Sequence, residues 1–348
     1  MMKAAVYYGP GDVRVEERPN PVEIDDNLVA KVEACAICGT DLKIATAGNP
    51  RCHPPRIIGH EMVGTIEHVG KDVEGFAVGE RITLATTVAC GACPICEKGL
   101  QNMCPNAKPI SYDFDGAFAE KIAIPPQALA GGNVIKVPDG VPNEAAALSE
   151  PISCALNAQE LADVGEGDTV LVVGGGPLGA LHAEVAKALG AAKVMIVQRS
   201  EPRLSMLRKL DGIRVIDGAK EDVLSVVQEE TDGLGVDRVI VCAPSREAME
   251  QSLQYARKGG TISLFSSLPS GASDITFDSR LLHYSELRVV GASDSRPEHV
   301  QKAVDLMKAG ELSVDNIVTH TVPIADWHQG LELMKTKASL KVLVVPGS

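Results

Sequence analysis

The chain has 348 residues, more than one hydrophobic core serves comfortably, since single cores stop growing near roughly 250 to 300 residues; two domains are therefore expected. Apolar residues make up 45% and charged residues 23%, a globular balance that excludes disordered and fibrous classes. A formal net charge of -13 argues against nucleic acid and anionic lipid surfaces as partners, because both require clustered Lys and Arg.

No apolar run approaches the roughly 20 residues of a membrane span, and Met1 to Pro10 lacks the apolar stretch of an export signal. A cytoplasmic protein that does not enter the membrane is expected. In a long chain without an export signal, the nine cysteines read as metal ligands rather than disulfides.

From Lys3 to about Leu129 the pattern is short β-rich runs such as LVAKVEAC, VGTIEHVG and GERITLAT, broken by Gly, Pro and Asp. This predicts a compact, barrel-like β domain. Within it stand Cys38 in AICGTD and His60 with Glu61 in GHEMVGTIEHVG, and Glu150 follows in LSEPISC. One Cys, one His and a carboxylate leave a coordination position for substrate, the pattern of a catalytic zinc site. Taken singly, Cys38 is a packed thiol and His60 a hydrogen-bonded side chain; only their joint occurrence with a nucleotide motif raises them to a site.

Cys90, Cys93, Cys96 and Cys104 form C-x2-C-x2-C-x7-C in ACGACPICEKGLQNMC. Four thiolates suit a closed tetrahedral zinc that stabilises a lobe and leaves no position for substrate. Four free buried thiols, or disulfides, are the competing reading.

From about Ile152 the texture changes to βαβ: TVLVV, ALHAEVAKAL, KVMIV, PRLSMLRKL, VDRVIV, a helix around Ala248 to Ala256, and GTISLF. A doubly wound parallel sheet is expected to about Val290. Domain boundaries fall at 1–151 and 152–292, with a mixed tail over 293–348 that returns to the first domain.

Gly174-Gly175-Gly176-Pro177-Leu178-Gly179 follows TVLVV and opens the next helix, the context a dinucleotide fingerprint requires. Gly174 permits the tight turn, Gly176 lets backbone approach a pyrophosphate, and Gly179 lets helix pack on strand. After KVMIV, where NAD-specific proteins carry an acidic residue for the ribose, this chain reads Gln198-Arg199-Ser200, with Arg203 nearby. No carboxylate there repels a 2′-phosphate, and the arginines could grip one, so NADP is preferred and NAD still accommodated.

The chain resembles the zinc-containing medium-chain alcohol dehydrogenases, most closely the sorbitol and threonine dehydrogenase branch. The resemblance rests on AICGTD, GHEMVGTIEHVG, the four-cysteine lobe, SEPISC, GGGPLG and TDGLGVDRVI in that order. It implies an α/β chain with a GroES-like catalytic domain and a Rossmann domain, two zinc ions per chain, and a homodimer or homotetramer. It also implies that Cys38 and His60 ligate the catalytic zinc, with Glu61 or Glu150 as the carboxylate. Asp41 would orient His60, and Thr40 would receive the substrate proton. Glu150 marks the polyol branch, where ethanol-type enzymes carry cysteine; Cys154 does not match that position. Lys43 stands where relatives carry a histidine of the outer proton relay. Asp294 stands near where polyol enzymes place a substrate-anchoring arginine, and Arg296 is two residues off. Tyr112, Phe114 and Phe118 resemble the lining of a substrate pocket. The function implied is oxidation of a secondary alcohol, whether polyol, sugar alcohol or amino-alcohol, to a ketone. The competing reading is a non-catalytic NAD(P)-binding redox sensor.

Overall fold

The structure is a computed structural model that describes residues 1–347. The chain divides into two compact units: one of Met1–Ser153, Asp294–Gly310 and the segment from Val318 onward, the other of Cys154–Ser293 and Glu311–Ile317.

The first unit is built on antiparallel strands. The central strand Leu28–Ala36 pairs on one side with Glu61–Val69 and on the other with Lys341–Val345, and Lys121–Ile124 pairs with it over Leu28 to Lys31. Val318–Pro323 lies parallel to Lys341–Val345 at the end of this seven-stranded sheet. A three-stranded sheet of Asp12–Arg18, Met2–Gly9 and Arg56–Ile57 completes the β framework. The inward positions of these strands, Leu28, Val32, Met62, Ile66, Ile82 and Val342, are buried together with Ile37, Ile44 and Trp327. Full burial of such side chains stabilises by about 1.5 to 3 kcal/mol each. Phe118 is fully buried in this core, with its ring edge-on to Trp327 at 5.8 Å. It is a packing residue, which corrects its expected place in a substrate pocket.

The second unit carries a six-stranded, all-parallel sheet. In spatial order its strands are Ile213–Asp217, Lys193–Gln198, Thr169–Val173, Val236–Val241, Ala256–Leu264 and Arg288–Gly291. In chain order this is 3-2-1-4-5-6, the doubly wound arrangement whose topological switch falls between strands 1 and 4. Strands covered on both faces read as unbroken apolar runs, and Val170, Leu171 and Val172 are all fully buried. The helix expected around Ala248 to Ala256 is instead Arg246–Gln251, capped by the Ser245 hydroxyl, and Ala256 opens a strand. Pairing of Ala256 with Val236 overrides the helical preference of this alanine-containing stretch.

Candidate active site

Cys38 is the N-cap of the helix Gly39–Ala47, and the third residue of that helix is Asp41. The Cys38 amide donates to Asp41 Oδ2 at 2.8 Å, so one buried carboxylate closes the helix start and fixes the thiol-bearing residue. The other oxygen, Asp41 Oδ1, lies 3.6 Å from His60 Nδ1 and has no hydrogen-bond partner among the described residues. Ser111 Oγ lies 3.5 Å from the same nitrogen. A ring held at Nδ1 by a carboxylate presents Nε2 as a ligand, the usual arrangement behind metal-bound histidine.

The turn that delivers His60 depends on Gly59, whose φ is +97° and whose added Cβ would lie 2.7 Å from Phe118. From this turn the strand Glu61–Val69 leads away. One ligand atom each from Cys38, His60 and Glu61 lies within 4.8 Å of the others, room for a single ion. Burial disfavours a charged His60 ring, but Asp41 and the Cys38 sulfur outweigh it and raise the pKa well above the ordinary value.

Glu61 is fully buried, and both its oxygens accept hydrogen bonds from Lys341 Nζ, itself buried. Burial opposes the ammonium, yet Glu61 outweighs it and raises the lysine pKa. Lys341 went unnoticed in the sequence because it lies 280 residues from Glu61. Its strand joins Leu28–Ala36, whose Ala36 pairs with Glu61.

Glu150, in the first turn of the helix Ser149–Leu161, is buried. Thr86 Oγ1 lies 3.5 Å from Glu150 Oε1. Burial pushes its pKa up to about 7; His60 pulls it down, while Glu61 and Asp294 push it up further. Asp294 sits in the left-handed region with φ 59°. It accepts from the Thr87 hydroxyl and, at 2.7 Å, from the Ser295 amide. Burial raises its pKa, against the lowering effect of these two bonds. Thr40 is half-buried in the first turn of its helix, whereas Lys43 is exposed. Tyr112 is partly buried against the core, and burial pushes its hydroxyl up to about 12. Phe114 packs on the same core.

Cys90, Cys93, Cys96 and Cys104 converge in a separate cluster. Their sulfurs are 3.5 Å apart for Cys93–Cys96 and Cys90–Cys104, 3.9 Å for Cys93–Cys104 and 4.0 Å for Cys90–Cys96. A tetrahedral zinc with bonds of about 2.3 Å requires edges of roughly 3.8 Å, so the donor set fits that ion. Hydrogen bonds from the Ala92 amide and Cys104 lower Cys90 to about 6, while burial and Cys93 push Cys96 up to about 12. Arg296 holds this lobe: Nη1 donates to the Gly99 carbonyl at 3.3 Å, with Glu298 and His299 against the same guanidinium.

In the second unit, the glycine turn links Thr169–Val173 to the helix Pro177–Ala188, for which Gly176 is the N-cap. Gly174 has φ +111°, and a Cβ at Gly179 would lie 2.0 Å from the Gly174 carbonyl. Leu178 follows Pro177 in the helix's first turn. Beside the turn, a cleft is lined by Gly174, Gln198, Arg199, Glu247, Gln251 and Tyr255. Gln198 Oε1 accepts from the Arg199 and Ser200 amides at 2.6 and 3.2 Å. Arg199 is exposed and 3.9 Å from Glu247. Arg203 does not join it: its guanidinium reaches within 3.5 Å of the Cβ position of Gly176. Arg203 Nε and Ser200 Oγ are buried with no hydrogen-bond partner among the described residues. An orphaned Arg203 donor beside the glycine turn fits an anionic nucleotide.

Residues 24–139 match the Alcohol dehydrogenase GroES-like domain family and residues 177–309 the Zinc-binding dehydrogenase family. An L-threonine 3-dehydrogenase from Pyrococcus furiosus is 36% identical, covering 99% of this chain and 97% of the relative. A sorbitol dehydrogenase from Halalkalibacterium halodurans is 31% identical, covering 99% of both. The crystal structure of a zinc-binding dehydrogenase from Sinorhizobium meliloti 1021 bound to NADP matches with TM-score 0.91 and 30% identity, covering 99% of each chain.

A GroES-like domain with a Cys-His-Glu cluster, joined in one chain to a doubly wound nucleotide fold, defines a dehydrogenase of alcohols. The chain belongs to the zinc-containing medium-chain alcohol dehydrogenase family.

Proposed function

We propose that this chain is a zinc-dependent dehydrogenase that moves a hydride between a secondary alcohol and NADP, giving a ketone. The observation that carries the reading is the convergence of Cys38, His60 and Glu61 on one point, in a chain that also presents a nucleotide turn.

Cys38, His60 and Glu61 would hold the catalytic zinc, with Glu150 at the edge of the cluster, and the four cysteines would hold a second, structural ion. When bound, the zinc lowers the pKa of the substrate hydroxyl and NADP takes up the hydride. Asp41 keeps the His60 ring oriented through Nδ1. Thr40 Oγ1 is the group proposed to receive the substrate proton. Lys341 balances the charge of Glu61 through hydrogen bonds to both carboxylate oxygens. Lys43, exposed on its helix, is left outside the proton path.

NADP preference is supported by Gln198, which carries no charge to repel a 2′-phosphate, and by the exposed guanidinium of Arg199. Its ion pair with Glu247 is long and exposed, so it costs little to exchange for a phosphate. Arg203 and Ser200 Oγ serve the same nucleotide from the glycine-turn side. A cytoplasmic homo-oligomer acting on small alcohols is the setting proposed.

The test is a panel of sugar alcohols, amino-alcohols and simple secondary alcohols, assayed with zinc-loaded protein and with NAD and NADP separately. Turnover with at least one alcohol, at higher kcat/KM with NADP, is expected. No turnover with any of them would overturn the dehydrogenase reading, whereas turnover favouring NAD would overturn only the cofactor preference.

A further inference from the structure

Ser111 is fully buried and stands in the left-handed backbone region, with φ 69°. Glycine takes that region freely, whereas a residue with a side chain stays there only where its surroundings over-determine it. The surroundings of Ser111 do so from two sides. The Pro109 carbonyl accepts from the Tyr112 amide at 3.2 Å and the Asp113 amide at 3.0 Å, which closes a tight turn around Ser111, and the Ile110 amide donates to the Thr86 carbonyl at 2.9 Å. From another loop, the buried Cys52 thiol donates to the Ser111 carbonyl at 3.5 Å, and Asn49 Nδ2 lies 3.4 Å from the Tyr112 hydroxyl. Burial pushes Cys52 up to about 11, so the proton it donates stays on sulfur at neutral pH.

The turn so held presents a hydroxyl to the candidate metal site. Ser111 Oγ lies 3.5 Å from His60 Nδ1, a nitrogen that Asp41 Oδ1 meets at 3.6 Å. Asp41 gives its other oxygen to the Cys38 amide at 2.8 Å, which ties the carboxylate to the helix start and limits how far it can close on the ring. A hydroxyl can either accept from a ring N–H or donate to a bare ring nitrogen. With a carboxylate beside it the first arrangement is favoured, because a proton on Nδ1 then faces two acceptors and Nε2 is left as a bare lone pair.

We propose that Ser111 is a positioning residue of the candidate metal site: its hydroxyl accepts the Nδ1 proton of His60 alongside Asp41 and so holds the imidazole with Nε2 turned to the ion. The inference rests on the reading of Cys38, His60 and Glu61 as zinc ligands. It also accounts for a serine where the backbone favours glycine, since glycine would relieve the turn but bring no acceptor to the ring. Partners of this kind behind a ligating histidine alter metal affinity by about 10- to 100-fold.

Ser111→Gly and Ser111→Ala separate the hydroxyl from the backbone, because both lose the oxygen and only glycine relieves the left-handed turn. Each chain is dialysed against a graded series of zinc buffers, and bound zinc is counted by atomic emission. The unaltered chain is expected to hold two ions, and Cys38→Ser, measured beside it, marks the ion that belongs to the four cysteines. In both Ser111 variants the other ion is expected to leave at a free-zinc concentration about 10 to 100 times higher than in the unaltered chain. Thermal melting checks the fold of each variant, and Ser111→Gly, free of backbone strain, carries the test if alanine does not fold. A Ser111→Gly chain that keeps both ions as tightly as the unaltered chain overturns the inference, whatever alanine does, since the effect then belongs to the backbone and not to the hydroxyl. An unaltered chain that binds only the four-cysteine ion removes instead the metal-site reading on which the inference stands.

Discussion

The buried Lys341-Glu61 pair and the half-buried Cys38 make separable predictions for the candidate metal site. Lys341 and Glu61 are a buried ion pair, and removing one partner of such a pair leaves an uncompensated charge, at a cost of about 3 to 5 kcal/mol. Lys341→Met should therefore lower the free energy of urea unfolding by that amount, and Lys341→Met with Glu61→Gln should recover most of it. A single variant as stable as the parent would show that the pair does not hold the core. Cys38 predicts differently. Cys38→Ser should lose turnover and reduce bound zinc from two ions to one per chain, because the four-cysteine cluster is independent of it. Unchanged zinc content, measured by atomic emission, would contradict the assigned ligand.

At the scale of elements, the helix Pro177–Ala188 carries two features that sequence patterning exposes unequally. Gly179 was legible, since a glycine at that spacing is where helix meets turn. Its absent Cβ would strike the Gly174 carbonyl, and Gly179→Ala should lift the helix and raise the Kd for NADP at least about tenfold. Fluorescence titration checks this. His182 was not legible: it occupies an ordinary inward position three residues later, among alanines. The structure buries it completely against Gln159, with the Phe265 ring at 4.4 Å, and burial depresses its pKa from 6.5 to about 3. Above pH 6.5 the ring is neutral in both folded and unfolded chains, so it adds no pH dependence. Below that, the unfolded chain gains a proton that the folded chain refuses, and stability falls as pH falls toward 3. Over the two units down to pH 4.5 this amounts to about 2.7 kcal/mol at most. His182→Leu should flatten that limb by a comparable amount in urea unfolding, and parallel profiles would show that His182 does not titrate as stated. The Gln159 amide keeps its 2.7 Å bond to the residue-182 carbonyl in such a variant.

For the whole molecule, what could be read from the sequence depended on how far apart the partners lie along the chain. The four cysteines and the glycine turn are local, so spacing alone displays them. The Lys341-Glu61 pair and the Thr87-Asp294 bond span 280 and 207 residues; strand register across Leu28–Ala36 brings the first together, and the second ties a short two-residue strand to a segment outside any strand. The two units also divide the candidate sites between them: the Cys38-His60-Glu61 and four-cysteine groups in the first, the glycine turn in the second. Anything that binds only the folded state stabilises it by mass action, about 2.7 kcal/mol at a hundredfold excess over Kd. Local opening reports that stabilisation where the ligand is held. Saturating NADP should therefore slow amide exchange chiefly in Thr169–Val173, Lys193–Gln198 and the glycine turn. Stripping zinc with a chelator should instead speed exchange over Cys90 to Cys104 and around the Gly39–Ala47 helix. Hydrogen exchange read by mass spectrometry separates the two patterns. Protection from NADP that appears first in the cysteine lobe, or no response there to chelation, would mean that the ligands are not apportioned as the two clusters and the turn imply.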